Sequence, residues 1–369
     1  MTSPLRVAVA GLGIGEKVHL PALRAGASTT PVALWHPRPE RLEVACRQAE
    51  LPGYSNFDDL LANSAVEALV IATPPAPRFE LAERALKAGK HLLLEKPAAL
   101  GAEQVEELQR LAMQRGLTVA IDFEYRAVPL FQQLAALVAS GCLGELLLVK
   151  FDWLMGSRAD PSRPWSWYSQ ANAGGGVLGS LGTHAFDILH WLVGPTRSLG
   201  ALLSTAIRER PLDDASGGMA GVDADDIALV QLQLETAEGT LVPAQLNLAS
   251  VTRRGRGCWL EIYGRDGTAV LGSDNQTDYV HGFGLWHSQG GEPLRQVEAE
   301  ARWSFARTWA DGRIAPVQRL QSWWSEAVRQ GHPMVPGLSE AVSSQRCCDW
   351  ARQGRWKVPG ASGPPGGIT

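Results

Sequence analysis

The sequence predicts two domains: an α/β domain built on a parallel sheet, followed by an α+β domain with a largely antiparallel sheet. The length of 369 residues exceeds what one ordinary core serves. Apolar strand-like runs alternate with amphipathic helical segments over the first third, and single-residue alternation of apolar and polar positions dominates later. We assign 1–122 to the first domain, 123–358 to the second, and 359–369 to a disordered tail rich in proline and glycine.

The first strand is followed by a glycine-rich turn. Residues 5–10 are apolar, two glycines spaced by one residue come next, and a helical pattern follows. This order is typical of a Rossmann dinucleotide-binding domain, because small residues let the backbone approach a pyrophosphate at the helix N-terminus. The motif departs from G-x-G-x-x-G, since Glu16 occupies the third position and a glycine comes one residue early. The predicted cofactor-binding turn comprises Gly11, Gly13, Ile14 and Gly15.

The following segments continue the same alternation. "TTPVALW", "VEALVIATPP", "KHLLLEKP" and "LTVAID" have the length and apolarity of buried strands. Helical segments separate them, and two of these end at Gly89 and Gly116. This alternation predicts a doubly wound parallel sheet.

The end of the second strand bears on the choice of cofactor. An NAD-specific site usually carries a carboxylate there to bind the ribose 2′-hydroxyl. This sequence has His36 and Arg38 instead, which favours the 2′-phosphate of NADP over NAD. The alternative is that Arg38 belongs only to the surface turn that opens the next helix.

A lysine stands at the end of the fourth predicted strand, in "EKP" at 95–97. Ligands bind at the carboxyl ends of strands in open α/β sheets, so Lys96 is expected to face the cofactor. Further along, "GGGVLGSLGTHAFD" at 174–187 places three glycines before a histidine. Imidazole removes a hydroxyl proton near neutral pH, so His184 is the candidate base. The alternative is that His184 only caps or packs against its helix. Asp187, one helical turn later, is expected to orient the ring or bind substrate.

These motifs together resemble the Gfo/Idh/MocA family, named for glucose–fructose oxidoreductase, inositol dehydrogenase and a rhizopine-catabolism protein. The resemblance rests on the glycine turn, "ATPP" at 72–75, "EKP" and "GGG…GTHAFDILHWLVG", and it covers nearly the whole chain. It implies an NAD(P)-dependent enzyme that oxidises or reduces a sugar, cyclitol or related polyol carbon. It also implies an antiparallel second domain whose outer face often mediates homo-oligomerisation.

The resemblance implies roles for individual residues. Lys96 matches the catalytic lysine and His184 the histidine that exchanges the substrate hydroxyl proton. Thr73 and Pro74 would pass near the adenosine and nicotinamide ribose, and Glu95 near the nicotinamide ribose. The hinge segment with Tyr125 and Arg126 often contributes to the nicotinamide or substrate site.

One position departs from the family pattern. Members often carry an aspartate four residues before the histidine, where this chain has Ser180. A serine offers a hydrogen bond but no negative charge, so we expect Ser180 to narrow the substrate range rather than to abolish catalysis.

Aromatic residues cluster in the stretch that precedes the glycines. Trp165 and Trp167 are predicted to stack on a sugar, because indole faces bind C–H surfaces while their polar edges form hydrogen bonds. The alternative is a loop held to the core by its tryptophans. A larger planar substrate such as a tetrapyrrole would also use these rings.

Composition excludes other classes of partner. The formal charge of −4 argues against nucleic acid and anionic membranes, and no apolar run approaches the length of a membrane span. Five cysteines without a C-x-x-C pair indicate reduced thiols and a cytoplasmic protein. No metal site is predicted, because His190 lies about 240° around the helix from His184. The remaining alternative to an enzyme is a non-catalytic dinucleotide-binding sensor or docking protein.

Overall fold

The computed structural model describes residues 3–213, 217–275, 277–278 and 280–354. Over these residues the chain forms a six-stranded sheet, an eight-stranded sheet and a small two-stranded ribbon. The predicted tail at 359–369 and the end of the second domain as assigned lie outside the described residues. In the described part of the chain, no helix combines the length and apolarity that a membrane span requires.

The first 121 residues alternate strands and helices, as the sequence predicts. The strands are β1 (Leu5–Ala10), β2 (Thr29–Trp35), β3 (Gly53–Tyr54), β4 (Ala68–Ile71), β5 (His91–Leu94) and β6 (Val119–Ile121). The helices are α1 (Leu20–Ala25), α2 (Pro39–Ala49), α3 (Phe57–Ala62), α4 (Pro75–Lys87) and α5 (Ala102–Arg115). Both β3 and α3 are additions to the prediction, because a two-residue strand has no periodicity to detect.

The first sheet is parallel and has the order β3-β2-β1-β4-β5-β6. The strand order reverses between β1 and β4, and a crevice for a ligand opens at such a switch point. Side chains of β1 alternate between two apolar layers. Ala8 and Ala10 face one layer, and Val7 and Val9 the other, so both faces of the sheet are buried.

The rest of the chain forms the second sheet and its helices. The strands are β7 (Leu146–Leu154), β8 (Thr196–Ser204), β9 (Glu209–Pro211), β10 (Met219–Gly221), β11 (Ile227–Glu235), β12 (Leu241–Ala249), β13 (Gly257–Gly264), β14 (Gly267–Ser273), β15 (Gly284–Gln289) and β16 (Arg295–Val297). The helices are α6 (Pro129–Ala139), α7 (Thr183–Leu192), α8 (Ile314–Gln330) and α9 (Leu338–Arg352).

The second sheet has the order β16-β15-β14-β13-β7-β12-β11-β8, and β9 pairs with β10. Each pair of adjacent strands in this sheet is antiparallel except β7 and β12, which are parallel. This confirms the prediction of a largely antiparallel sheet. Along β11, alternate side chains such as Val230 and Leu232 are buried while Leu229 is exposed. One face therefore covers a core and the other is open.

The last two helices return to the first domain. Leu320 and Trp324 of α8 are fully buried in the layer that contains Val7 and Val9. Helix α9 contributes Leu338 to the first core and Cys348 to the second. The two cores are thus joined by the C-terminal helices as well as by residues 122–128, and the domain boundary at 122/123 stays a prediction.

Candidate active site

The glycine turn after β1 is shaped for close backbone approaches. Gly11 has φ of 105°, and a Cβ there would lie 2.7 Å from the carbonyl oxygen of Ala72. Gly13 has no atom within 4 Å of its Cβ position, so space is open where a pyrophosphate would lie. A Cβ at Gly15 would meet Val9 Cγ1 at 3.0 Å. Gly15 therefore provides the close helix–strand contact although it comes one residue early.

The helix after this turn begins with a π turn, Gly15–His19, that runs directly into α1. Ile14 precedes it and packs with the apolar layer below. A second π turn, Leu178–Gly182, runs into α7 in the same way. Such turns are frequent at functional sites, and here both follow the glycine-rich segments that the sequence singles out.

The ends of β4 and β5 are held together by a buried arginine. Arg78 donates hydrogen bonds to the carbonyl oxygens of Thr73, Glu95 and Pro97. Burial lowers its pKa to about 10. Thr73 Oγ1 is buried and has no hydrogen-bond partner among the described residues, so it is free to bind a ligand. The open space at Gly13 and this unpaired hydroxyl both fit a dinucleotide.

His36 and Arg38 lie at the exposed end of β2. His36 Nδ1 accepts a hydrogen bond from the backbone N–H of Arg38 at 3.1 Å, which leaves the other ring nitrogen as the donor. Burial lowers the pKa of His36, and the charges of Arg41 and Arg38 act in the same direction. The sequence analysis did not single out Arg41, which adds a third basic group to this corner.

Lys96 and Ser180 meet across the two domains. Lys96 Nζ donates a hydrogen bond of 2.8 Å to the carbonyl oxygen of Ser180. The Ser180 hydroxyl donates to the carbonyl oxygen of Gly176 at 2.9 Å and lies 3.1 Å from the Tyr168 hydroxyl. The strand-end lysine and the segment before the histidine are thus brought together, as the sequence predicts for two residues of one site.

His184 lies in the first turn of α7 and is 2% exposed. Its ring centroid is 5.8 Å from that of Phe123, 5.0 Å from that of Tyr125 and 6.2 Å from that of Trp153. Burial lowers the pKa of His184 well below its usual value, and the charge of Lys96 lowers it further. The imidazole is therefore neutral at pH 7 and able to accept a proton.

Glu124 is a member of this site that the sequence analysis missed. It begins a 3₁₀ turn, Glu124–Ala127, three residues after the last residue of β6, and its Oε2 lies 3.5 Å from His184 Nε2. Burial raises its pKa to about 7, although the charge of Lys96 opposes this. The rule that identified Lys96, a polar residue at the carboxyl end of a parallel strand, also applies to Glu124 at the end of the next strand.

Glu95 points into the protein rather than away from it. Its Oε1 lies 2.9 Å from His19 Nε2, and its Oε2 accepts a hydrogen bond from the Lys96 backbone N–H at 3.2 Å. Burial alone would raise the pKa of Glu95, but His19, Lys96 and Arg78 outweigh it and lower the pKa to about 2. Its predicted place near the nicotinamide ribose stays a prediction.

Asp122 completes a buried cluster with His19 and Glu95. Burial raises its pKa well above the usual value, and the nearby charges of Glu95 and Glu124 add to this. The ligand atoms of the three residues lie within 4.8 Å of one another, a spacing that a metal ion can bridge. The 2.9 Å between His19 and Glu95 is instead the length of a direct hydrogen bond, so the geometry is that of a hydrogen-bonded cluster.

Arg126 and Asp187, both predicted substrate ligands, bind each other. Arg126 Nε and Nη2 donate to the two carboxylate oxygens of Asp187 at 2.9 and 2.7 Å. The guanidinium also lies 5.4 Å from the ring of Trp191. Burial raises the pKa of Asp187 to about 6 despite Arg126. The pair joins the hinge segment to α7, and a role in substrate binding stays a prediction.

The predicted aromatic residues occupy different places. Tyr125 is buried among the rings of Phe131, Trp153 and Phe283. Trp167 is half-buried and its ring meets that of Tyr168, whose hydroxyl reaches Ser180. Trp165 donates from Nε1 to the carbonyl oxygen of Gly221 at 2.9 Å, which holds its loop to β10. The sequence analysis did not foresee the Tyr168–Ser180 contact, which joins residues from two different turns.

The glycines before α7 make room for protein rather than for a ligand. Gly176 has φ of 86°, and a Cβ there would lie 2.5 Å from Asp225 Oδ1. Asp225 Oδ2 accepts a hydrogen bond from the Leu178 backbone N–H at 2.8 Å. A Cβ at Gly175 would lie 2.3 Å from the carbonyl oxygen of Tyr168. The three glycines thus fix the entry to α7, and with it Ser180 and His184.

Comparison with known proteins agrees with this geometry. A family model described as "Oxidoreductase family, NAD-binding Rossmann fold" matches residues 5–123, and its partner, "C-terminal alpha/beta domain", matches 135–355. An uncharacterized oxidoreductase of Synechocystis sp. is 45% identical over 95% of this chain and 93% of its own. Levoglucosan dehydrogenase of Pseudarthrobacter phenanthrenivorans is 29% identical over 64% of each chain.

Solved structures show the same fold. Levoglucosan dehydrogenase in complex with NADH and levoglucosan superposes with a TM-score of 0.82 and 24% identity, over 96% of this chain and 99% of that one. An oxidoreductase domain protein from Kribbella flavida gives a TM-score of 0.84 with 22% identity, over 97% and 99%. The two matching family models together span most of the chain, and the chain belongs to the Gfo/Idh/MocA family of oxidoreductases with an NAD-binding Rossmann fold.

Proposed function

We propose that this oxidoreductase transfers a hydride between a nicotinamide cofactor and a secondary alcohol or ketone carbon of a sugar, cyclitol or related polyol. The convergence of Lys96, Ser180 and His184 at the carboxyl edge of the first sheet carries this proposal. The names of similar proteins support it, because levoglucosan dehydrogenase and D-xylose dehydrogenase act on sugars.

The chemistry follows from the charges of the site. His184 is neutral, so it takes the proton of the substrate hydroxyl during oxidation and returns it during reduction. Lys96 carries a positive charge beside it and holds the Ser180 carbonyl, which places an ammonium group where the substrate oxygen becomes negative. The nicotinamide, when bound, accepts or supplies the hydride. The buried surroundings of His184 exclude water from the proton transfer.

Cofactor binding and turnover test this function together. NADPH and NADH are titrated against tryptophan fluorescence, and each is then offered with a panel of sugars, cyclitols and their keto forms. Lys96→Ala and His184→Ala should retain cofactor binding and lose turnover by at least ~10²-fold. Lys87→Ala, at an exposed lysine paired with Glu83, and His190→Ala, at a half-buried histidine of α7, serve as controls. Tight cofactor binding without turnover of any substrate would favour the non-catalytic alternative.

We infer a preference for NADP from the basic corner at the end of β2. His36, Arg38 and Arg41 lie together there, and a 2′-phosphate is stabilised by such donors. Arg38→Ala and Arg41→Ala should weaken NADPH binding about tenfold and leave NADH binding within about twofold. Arg47→Ala, at an exposed arginine of the same helix, is the matched control. Equal losses for both nucleotides would contradict the preference.

We infer that the aromatic loop contributes the substrate subsite. Trp167 is half-buried beside Tyr168, and the Tyr168 hydroxyl touches Ser180, so an indole face lies near the proposed reacting centre. Trp167→Ala should raise KM for a sugar substrate more than it lowers kcat, because stacking contributes to ground-state binding. Trp165→Ala is the comparison, since its indole N–H is already bound to Gly221.

We infer a homo-oligomer formed through the open face of the second sheet. Leu229 and Leu202 are 44% and 67% exposed and lie opposite each other on β11 and β8. Exposed leucines adjacent on a flat sheet favour burial against a second copy. Leu229→Glu should lower the mass measured by light scattering, whereas Met113→Glu, at an exposed methionine of α5, should not.

We also infer a cytoplasmic location. The five cysteines are all unpaired thiols, which fits a reducing compartment. Fractionation of cells that express the tagged protein tests this.

A further inference from the structure

A carboxylate from the turn after β6 reaches His184, which has no carboxylate partner in its own sequence motif. Ser180, one turn before the histidine, offers only a hydroxyl, and that hydroxyl is bound to Gly176 and Tyr168. Glu124 Oε2 lies 3.5 Å from His184 Nε2. Both side chains are buried, at 10% and 2% exposure.

We propose that Glu124 is a positioning residue that orients the His184 ring and stabilises the imidazolium formed when the substrate hydroxyl loses its proton. The inference rests on the proposed function, because it assigns a partner to the same histidine. It concerns a residue that lies outside the motif and comes from the turn after β6.

The hydrogen bonding of the pair is incomplete in the described structure. Glu124 Oε2 and His184 Nδ1 are both buried, and neither has a hydrogen-bond partner among the described residues. An unpaired buried carboxylate oxygen is costly unless a donor faces it. An imidazole that gains a proton becomes such a donor, so the contact tightens when His184 is charged.

The other carboxylate on α7 is already occupied. Both oxygens of Asp187 accept hydrogen bonds from Arg126. Asp187 therefore lies one turn from His184 but has its charge neutralised, and Glu124 is the carboxylate left to serve the histidine.

The charges around Glu124 help to determine the pH range in which its side chain is ionised. Lys96 and Arg313 favour its ionised form, whereas Glu95 opposes it. Burial is the largest effect, and the pKa of Glu124 rises to about 7. Glu124 is thus ionised above neutral pH. This is also the pH range that favours alcohol oxidation, because the reaction releases a proton.

Oxidation of the alcohol sends one proton to His184 and one hydride to the nicotinamide. The O–H bond of the alcohol breaks and its proton moves to His184, while the C–H bond breaks and its hydride moves to the oxidised nicotinamide. A C=O bond forms in the product. Glu124 stays a carboxylate beside the imidazolium, and the proton later leaves to solvent, so no further oxidant or reductant is required.

Substitutions test the proposal through catalysis. Glu124→Gln should lower kcat by about 10- to 100-fold with cofactor affinity within about twofold, and the ionisation near pH 7 should vanish from the pH profile of kcat. Glu124→Asp should retain that ionisation. Adding Ser180→Asp to Glu124→Gln places a carboxylate one turn before the histidine and should recover about tenfold. Glu107→Gln, at an exposed glutamate of α5, is the control.

A second measurement reads the same contact without turnover. In ¹⁵N-histidine-labelled protein, the His184 signals are assigned by their loss in His184→Gln, and their titration is followed by NMR. Loss of the carboxylate in Glu124→Gln should lower the pKa of His184 and change its tautomer. Should Glu124→Gln not fold, Glu124→Ala, which also lacks the carboxylate, tests the same shift. Unchanged His184 titration would overturn the proposal, even where the protein turns over no substrate and the proposed function itself fails.

Discussion

Two buried acid–base pairs lie side by side between the same two elements and differ in how complete they are. Arg126 and Asp187 form two hydrogen bonds of 2.9 and 2.7 Å. Glu124 and His184 meet at one distance of 3.5 Å and leave Oε2 and Nδ1 without partners among the described residues. Glu124 and Arg126 share one 3₁₀ turn, and His184 and Asp187 share the first two turns of α7.

The difference assigns a structural role to the Arg126–Asp187 pair and a chemical role to the Glu124–His184 pair. A bidentate ion pair has its two charges compensated by each other, and here it fixes the hinge segment against α7. The incomplete pair keeps one proton-accepting nitrogen and one carboxylate oxygen available, at the cost of burying them unpaired. The complete pair therefore holds in place the elements on which the incomplete pair depends.

The largest expected effect comes from breaking the complete pair. Asp187→Ala removes both acceptors of a buried guanidinium, so the free energy of unfolding should fall by about 3–5 kcal/mol. Chemical denaturation followed by tryptophan fluorescence measures this loss. The double variant Arg126→Met/Asp187→Leu removes both charges and should recover most of it. A single variant as stable as the wild type would show that the pair is not a structural tie.

A smaller change in the free energy of unfolding, and of opposite sign, is expected when Glu124 of the incomplete pair is replaced by glutamine. The pKa of Glu124 is raised in the folded protein, from 4.5 to about 7, so the folded state binds more protons than the unfolded state between these values. Stability should therefore fall as pH rises from about 4.5 to 7, and Glu124→Gln should be free of this loss.

At pH 8, Glu124→Gln should be more stable than the wild type by about 3 kcal/mol, and near pH 4 the two should be nearly equal. Denaturation curves at both pH values measure the difference. The pKa of Asp187 is also raised, to about 6, but this contribution is present in both proteins and cancels. A glutamine variant that is less stable at pH 8 would mean that the carboxylate serves the fold rather than the chemistry.

The sequence predicted those parts of the site that depend on local geometry. The strand, glycine turn and helix at the start of the chain follow from short-range preferences, and β1 and β2 have the predicted bounds. Lys96 and His184 were found because a strand end and a glycine-rich helix start are visible in sequence. Gly15, which comes one residue early in the motif, was also included in the predicted turn, and its contact with Val9 is local.

The pairs described here depend on contacts that no local pattern encodes. Glu124 and His184 are 60 positions apart, and the hydroxyls of Tyr168 and Ser180 meet although they belong to two different turns. Arg126 was predicted to contribute to the site because it matches the family's hinge segment, and Asp187 because it lies one helical turn after His184. In the structure Arg126 and Asp187 bind each other. They are 61 positions apart in the chain, so no local sequence pattern indicates this pairing.

The smallest effect on the free energy of unfolding is expected at two glycines, Gly11 in crowded surroundings and Gly13 beside open space. A Cβ at Gly11 would lie 2.7 Å from the Ala72 carbonyl oxygen at φ of 105°, whereas a Cβ at Gly13 would meet no atom within 4 Å. Gly11→Ala should therefore destabilise the protein by about 1–3 kcal/mol. Gly13→Ala should change the free energy of unfolding by no more than about 0.5 kcal/mol. It should still weaken NADPH and NADH binding about tenfold, because its methyl group would occupy the space left for the pyrophosphate. Denaturation and fluorescence titration of both variants measure the two effects, and unchanged nucleotide affinity in Gly13→Ala would place the pyrophosphate elsewhere.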